Sequence, residues 1–277
     1  MPPESLQAEV INTHLAPRPL RAAMIDFDGT LSLLREGWDQ VMIPMMVAEL
    51  LPLAGTKETP EQLKQLVTNW VLKLNGQPTI NQMQALVDEV VIRQGTPRPA
   101  SEYKQRYLDL LMETVEGRKK QIAQEKSGKR WVVPGGYQLL EGLHRRGIPM
   151  LLASGTDLAA LRIEAGILGV ATHFDQGIAG PESDSSTFTK AKACDQMLER
   201  LNAPGSALLN VGDGYVETKL TKDRGGVAIG VAYDHDHPGQ YNSWRREQLY
   251  HAGADLILPD LEQSELLLDW LFSGASA

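Results

Sequence analysis

Cysteine is almost absent: Cys194 is alone among 277 residues, so the chain can form neither an internal disulfide nor a four-thiolate metal site. A reducing cytoplasm is the expected setting. Long apolar runs are missing too. The greasiest stretch, Met42–Leu53, is broken by Pro44 and Glu49 and falls short of the roughly 18 residues a membrane-spanning helix needs. The first 20 residues contain no apolar targeting core and read as a short polar extension. Basic charge is in deficit, with 27 Lys+Arg against 35 Asp+Glu and a net charge of −8. That field disfavours nucleic acid and anionic membrane as partners while leaving room for a local basic pocket. There is no internal repeat and no low-complexity tract. What is present is ordinary globular usage, 42% hydrophobic and 22% charged, enough for one large domain or two modest ones.

Apolar spacing divides the chain. Ala22–Phe27 is a short apolar run stopped by Asp28-Gly29, the pattern of a buried strand ending in a turn. The next hundred residues carry helical spacing over Glu36–Leu53, Pro60–Leu74, Ile80–Arg93 and Tyr103–Gln124, punctuated by Gly, Pro and Thr. From Trp131 the pattern alternates. Strands are expected at Pro149–Ala153, Ala207–Val211, Val227–Val231 and Asp255–Leu258. The intervening helices are expected at Gly136–Arg146, Leu158–Leu168, Ala191–Leu201, Val216–Asp223, Tyr241–His251 and Leu261–Phe272. Such alternation predicts a parallel sheet with helices on both faces, interrupted after its first strand by an all-helical insertion.

In sheets of this kind ligands bind outside the carboxyl ends of the strands, and three of those ends are chemically loaded. Asp26 and Asp28 alternate at the first, so both can project into one site. Ser154, Gly155 and Thr156 open a helix after another strand, where free backbone N–H groups favour an anion. Asp213 and Glu217 flank a glycine turn at the third. Four acids gathered together repel one another unless a hard cation lies among them.

The ordered set DFDGT at 26–30, Ser154 in LLASGT, Lys190 in FTKAKA and GDGYVE at 212–217 resembles the haloacid dehalogenase superfamily of phosphohydrolases, over essentially residues 21–260. The resemblance implies an α/β fold with a Rossmann-like parallel sheet core at 21–34 and 131–277, and a helical cap of the C1 type at 35–130. It implies Asp26 as the nucleophile and Asp28 as general acid and base. Mg²⁺ would be held by Asp26, by the backbone carbonyl of Asp28 and by Asp213, with Glu217 as an outer acid. Ser154 and Lys190 would contact the phosphoryl group, helped by Thr30, Gly155 and Thr156. Lys192 competes with Lys190; Lys190 is preferred because it stands at the helix start, 23 residues before Asp213. Arg35, Glu36 and Trp38, at the cap entry, are candidates for substrate contact or, equally, for a connection and helix start.

The expected function is magnesium-dependent hydrolysis of a small soluble phosphomonoester, such as a sugar or cyclitol phosphate, through an aspartyl-phosphate. The alternatives are a phosphotransferase or mutase of the beta-phosphoglucomutase kind and a catalytically idle regulatory relative; the intact acids, Ser154 and Lys190 weigh against the latter. Carbon–halogen displacement is disfavoured because Asp28 supplies a leaving-group acid that such chemistry does not need. The run Tyr233–Pro238, rich in His and Asp, reads as a solvated loop, and Cys194 and the methionines at 42, 45 and 46 as packing residues.

Overall fold

A computed structural model describes residues 2–75, 77–182 and 187–273. In chain order the elements are strands Glu9–Val10 (β1) and Ala22–Ile25 (β2), then helices Trp38–Leu50 (α1), Pro60–Lys73 (α2), Thr79–Ile92 (α3) and Ala100–Glu125 (α4). There follow helix Gly136–Arg145 (α5), strand Met150–Ala153 (β3), helix Leu158–Ile167 (α6), strand Ile178–Ala179 (β4) and helix Lys190–Arg200 (α7). The chain continues through strand Leu208–Gly212 (β5), helix Tyr215–Asp223 (α8), strand Val227–Val231 (β6), helix Ser243–Ala252 (α9), strand Leu256–Leu258 (β7) and helix Ser264–Phe272 (α10).

The seven strands form one sheet in the order β1-β7-β6-β5-β2-β3-β4. Every pairing is parallel except β1 against β7. The chain runs from β2 outward to β3 and β4, then returns to the other side of β2 to build β5, β6 and β7. β2 therefore lies at the switch point, where a crevice opens beyond the strand ends. All four β2 residues are buried, as a central parallel strand covered on both faces requires. Phe27, just beyond it, is fully buried; anchoring that side chain is worth about 2 kcal/mol and fixes the turn carrying Asp26 and Asp28.

The four helices α1 to α4 pack around their own apolar cluster, which includes Met42, Met46, Leu63, Leu86 and Leu111, distinct from the cluster beneath the sheet. Helix starts follow their capping chemistry. Thr59 and Gln62 form a reciprocal capping box with Pro60 at the first helical position, and Thr189 accepts from the Lys192 N–H to start α7.

Some boundaries differ from the periodicity. α1 begins at Trp38 rather than Glu36, because Gly37 takes a left-handed conformation (φ 83°) and Arg35 and Glu36 turn ahead of it. The first 20 residues, expected as a polar extension, are woven into the fold: Glu9–Val10 pairs with β7, Leu6, Leu15 and Leu20 are buried, and Arg246 grips the Glu9 carboxylate with two hydrogen bonds. A two-residue strand carries too little periodicity to be read, yet it covers an otherwise open sheet edge. β4, equally short, was not expected either.

Candidate active site

Asp26, Ser154 and Asp213 each follow the last residue of a strand, β2, β3 and β5 respectively, so three neighbouring strands deliver them to one crevice. The turn between the two first-motif acids depends on Gly29, whose φ is 79°. A Cβ at Gly29 would fall 2.2 Å from Asp213 Oδ2, so this glycine lets the first loop close onto the third.

Asp26, Asp213 and Glu217 are all buried, and one carboxylate oxygen from each lies within 4.8 Å of the others. Ligands about 2.1 Å from a shared centre stand within that spread, and three hard oxygens suit Mg²⁺. Burial pushes the Asp213 carboxyl up to about 7, against the pull of Arg245 and with a further push from Glu217. Divalent charge would relieve that penalty. Lys190, at the first position of α7, donates to Asp26 Oδ1 at 2.6 Å and to Glu217 Oε2 at 2.9 Å. Burial alone would strip its proton, but the two carboxylates outweigh burial and raise its pKa. Glu217 Oε1 accepts from the Gly214 N–H at 2.7 Å, securing the start of α8. Lys192 is exposed and bonds the Thr187 carbonyl at 3.0 Å, away from the acids.

Asp28 occupies different surroundings. Its Oδ2 accepts from the Thr156 hydroxyl at 2.7 Å and the Ser154 hydroxyl at 3.3 Å, while Oδ1 has no hydrogen bond. Its pKa is raised chiefly by burial, which Arg35 at 3.9 Å partly counters. Burial pushes both first-motif carboxyls up, Asp26 well above its ordinary value despite the pull of Lys190, so the two differ in their partners: Asp26 pairs with an ammonium, Asp28 with two hydroxyls and a more distant guanidinium.

A cavity of about 70 Å³, open on one side, joins these groups to the four-helix insertion. Its floor is Asp26, Asp28, Ser154, Gly155, Thr156 and Lys190, and its opposite wall includes Arg35, Trp38, Gln77 and Tyr107. Arg35 is held by two hydrogen bonds to the buried Glu164, at 2.9 and 2.8 Å. Thr30 and Glu36 are not part of the lining. Thr30 is buried with an unpartnered hydroxyl, and Glu36 accepts from Arg245 at 2.8 Å. Arg245 also lies 3.1 Å from Asp213, bridging the insertion's entry to the third strand end.

The sequence reading did not single out Arg245, Glu164, Gln77 or Tyr107. Tyr107 shares one helical stripe with Tyr103, Leu111 and Val115, all buried, so its spacing signals packing alone. Cys194 is buried on α7, as expected, and Asp234 and His237 pair locally at 3.4 Å in their loop. Among the described residues no helix is long and apolar enough to cross a membrane.

The model of the haloacid dehalogenase-like hydrolases matches residues 20–219. The chain belongs to that family. Solved structures with the same fold include a "predicted phosphatase" from Clostridium acetobutylicum, 18% identical over 91% of this chain and 100% of that one, with a TM-score of 0.58. Beta-phosphoglucomutase from Clostridium difficile is 15% identical, covering 88% of this chain and 92% of its own, TM-score 0.56. A mutant of CbbY from Rhodobacter sphaeroides in complex with xylulose-(1,5)bisphosphate is 18% identical over 88% and 96%, TM-score 0.55. No curated protein matches the chain by sequence. The haloacid dehalogenase-like match spans all four loaded segments, from the Asp26 turn to Glu217.

Proposed function

We propose that this hydrolase cleaves a small, soluble phosphomonoester in two displacements at Asp26. The observation that carries the reading is the difference in partners between its two first-motif acids, an ammonium on Asp26 and two hydroxyls on Asp28. Asp26, charge-paired with Lys190, attacks phosphorus through a carboxylate oxygen; the phosphorus–oxygen bond to the leaving group breaks, and Asp28, kept toward its neutral form, gives that oxygen its proton. Water then attacks the aspartyl-phosphate, Asp28 takes the water's proton, and the bond from phosphorus to Asp26 breaks to release phosphate.

Lys190 offsets the negative charge of nucleophile and phosphoryl group, and the hydroxyl of Ser154, with Gly155 and Thr156 beside it in the lining, faces the phosphoryl oxygens. Asp26, Asp213 and Glu217, with the Asp28 carbonyl, would hold Mg²⁺. The ion would supply neutralising charge to the phosphoryl oxygens. The insertion, acting as a cap, covers the crevice, excludes bulk water and contacts the leaving group.

Phosphate release from p-nitrophenyl phosphate and a panel of metabolite phosphates tests the reading. Turnover should require Mg²⁺, disappear with EDTA, and be abolished by Asp26→Asn in a folded protein. Full activity after exhaustive chelation, or in Asp26→Asn, would overturn it.

A further inference from the structure

We infer that the cap selects an uncharged, hydroxyl-rich leaving group, excluding substrates that carry a carboxylate or a second phosphate beside the reacting one. The inference rests on the phosphatase reading and narrows its substrate class.

Its basis is the side of the cavity facing the catalytic loops. The residues contributed there from α1 onward are Trp38 and Met42 on α1, Asn75 and Gln77 between α2 and α3, Thr79 and Gln82 on α3, and Tyr107 on α4. None is charged. The two cations that do line the cavity are already committed, Arg35 to Glu164 and Lys190 to Asp26 and Glu217. Apart from Arg35, whose charge Glu164 balances, that wall is neutral, and a second anionic group on the substrate would lose its water there with no free counter-charge to receive it.

The same wall is rich in hydrogen-bonding groups without protein partners. Gln82 is spoken for, donating to the Val71 carbonyl at 3.1 Å. Gln77, which lines the cavity, uses only its side-chain carbonyl, accepting from Asn81 at 2.9 Å, and its amide N–H₂ has no partner among the described residues. Among the described residues the side chains of Asn75, Thr79 and Trp38 make no hydrogen bond. Neither does the buried Tyr107 hydroxyl, which sits in the field of Arg35 and Asp28. Substrate hydroxyls, each both donor and acceptor, match such a set. A site built this way discriminates strongly against ligands that leave its buried donors unpaired.

The wall also bears on phosphoryl transfer between two hydroxyls of one sugar. Starting from a phosphorylated Asp26, such a reaction passes through a bisphosphate, whose distal phosphate would meet this surface. Release of phosphate to water makes no such demand.

The test compares kcat/KM, with Mg²⁺ present, for fructose 6-phosphate and sorbitol 6-phosphate against fructose 1,6-bisphosphate and 2-phosphoglycolate, with p-nitrophenyl phosphate as the activated reference. The uncharged-tail monophosphates should exceed both charged-tail compounds by at least tenfold. Gln77→Lys should shrink that ratio by bringing a cation to the wall. Tyr107→Phe should cost the polyol phosphates more than the aryl ester. Calorimetric binding to Asp26→Asn gives the same ranking without turnover. A charged-tail compound ranked first, or a ratio unmoved by Gln77→Lys, would overturn the inference. Loss of p-nitrophenyl phosphate hydrolysis in the wild type would instead strike the phosphatase reading, and the binding ranking would still decide this one.

Discussion

A single methyl group can test whether the cap works in the position seen here. Gly155 is the second residue after β3, and a Cβ built on it would lie 2.4 Å from the backbone carbonyl oxygen of Gln77. An ordinary carbon–oxygen contact needs about 3.5 Å, so Gly155→Ala must push the two segments apart by about 1 Å. The obstacle is backbone on both sides, and a rotamer change cannot relieve it.

The expected loss follows from what that gap does to alignment. Displacing a positioning element by about 1 Å costs on the order of 10²-fold in rate, and the displaced segment carries Gln77 and its neighbours. Steady-state kcat/KM for the best metabolite phosphate should fall by about that factor, with a smaller loss for p-nitrophenyl phosphate. Thermal stability should change little, since the new methyl strains the approach of the cap to the core and neither core itself. Gly166→Ala is the matched control. It lies on α6, exposed, with nothing within 4 Å of the added Cβ, and should gain roughly 0.5–1 kcal/mol at unchanged activity. Wild-type kcat/KM in Gly155→Ala would refute the claim that turnover requires this cap position.

Three further outcomes follow from the geometry. Lys190→Met should lower phosphate release by about 10²–10³-fold, the usual range for one lost electrostatic contact to the transition state, while Lys192→Met stays within about twofold; equal losses would undo the assignment of the site lysine. Glu164→Ala strands the buried Arg35 guanidinium and should cost about 3–5 kcal/mol, seen as a Tm lowered by roughly 10 °C, with the double change Arg35→Met, Glu164→Met recovering much of it; an unchanged Tm in the single variant would show the pair to be energetically idle. Burial pushes the Cys194 thiol up to about 11, so at pH 8 only about one molecule in 10³ carries the thiolate; Ellman's reagent should label nothing in the native protein and one equivalent in guanidinium, and prompt native labelling would contradict the packing of α7.

The catalytic face was readable because its chemistry is local. Asp26, Asp28, Ser154, Lys190 and Asp213 sit within three residues of strand ends and helix starts that apolar periodicity marks well, and parallel topology brings those ends together without any long-range detail. The cap wall was not readable in that way. Tyr107 obeys the same 3.6-residue stripe as its packing neighbours, and whether its hydroxyl ends in a core or at a cavity depends on how α4 meets the sheet. Arg245 and Glu164 look like the polar face of ordinary surface helices; only tertiary packing buries each against a partner more than 100 residues away, Glu36 and Arg35 respectively. β1 and β4 are too short to carry a period and exist because neighbouring strands offer an edge.

The contacts between cap and core are unequal in kind on its two sides, and this bears on which wall can adapt to substrate. On the α4 side they are ionic and numerous: Lys104 pairs with Asp157 at 2.8 Å and Lys119 approaches Glu164 at 3.6 Å. Arg118 donates to the carbonyls of Leu33, Leu34 and Glu36 at 3.1, 2.8 and 2.9 Å. Residues 33–36 belong to no helix or strand, so their carbonyls need such a donor once buried. Arg118 also lies 5.0 Å over the Trp131 ring, so one side chain touches the outgoing crossing of the chain and the returning one. On the other side, Gln77 and Pro78 meet the core at Gly155 through a close approach of neutral backbone. Among the described residues, separating neutral backbone there breaks no ion pair, whereas lifting α4 would break several at once. The side that carries Asn75 and Gln77 is therefore the one less firmly tied to the core among the described residues, so it is the wall with most room to adjust to a bound substrate.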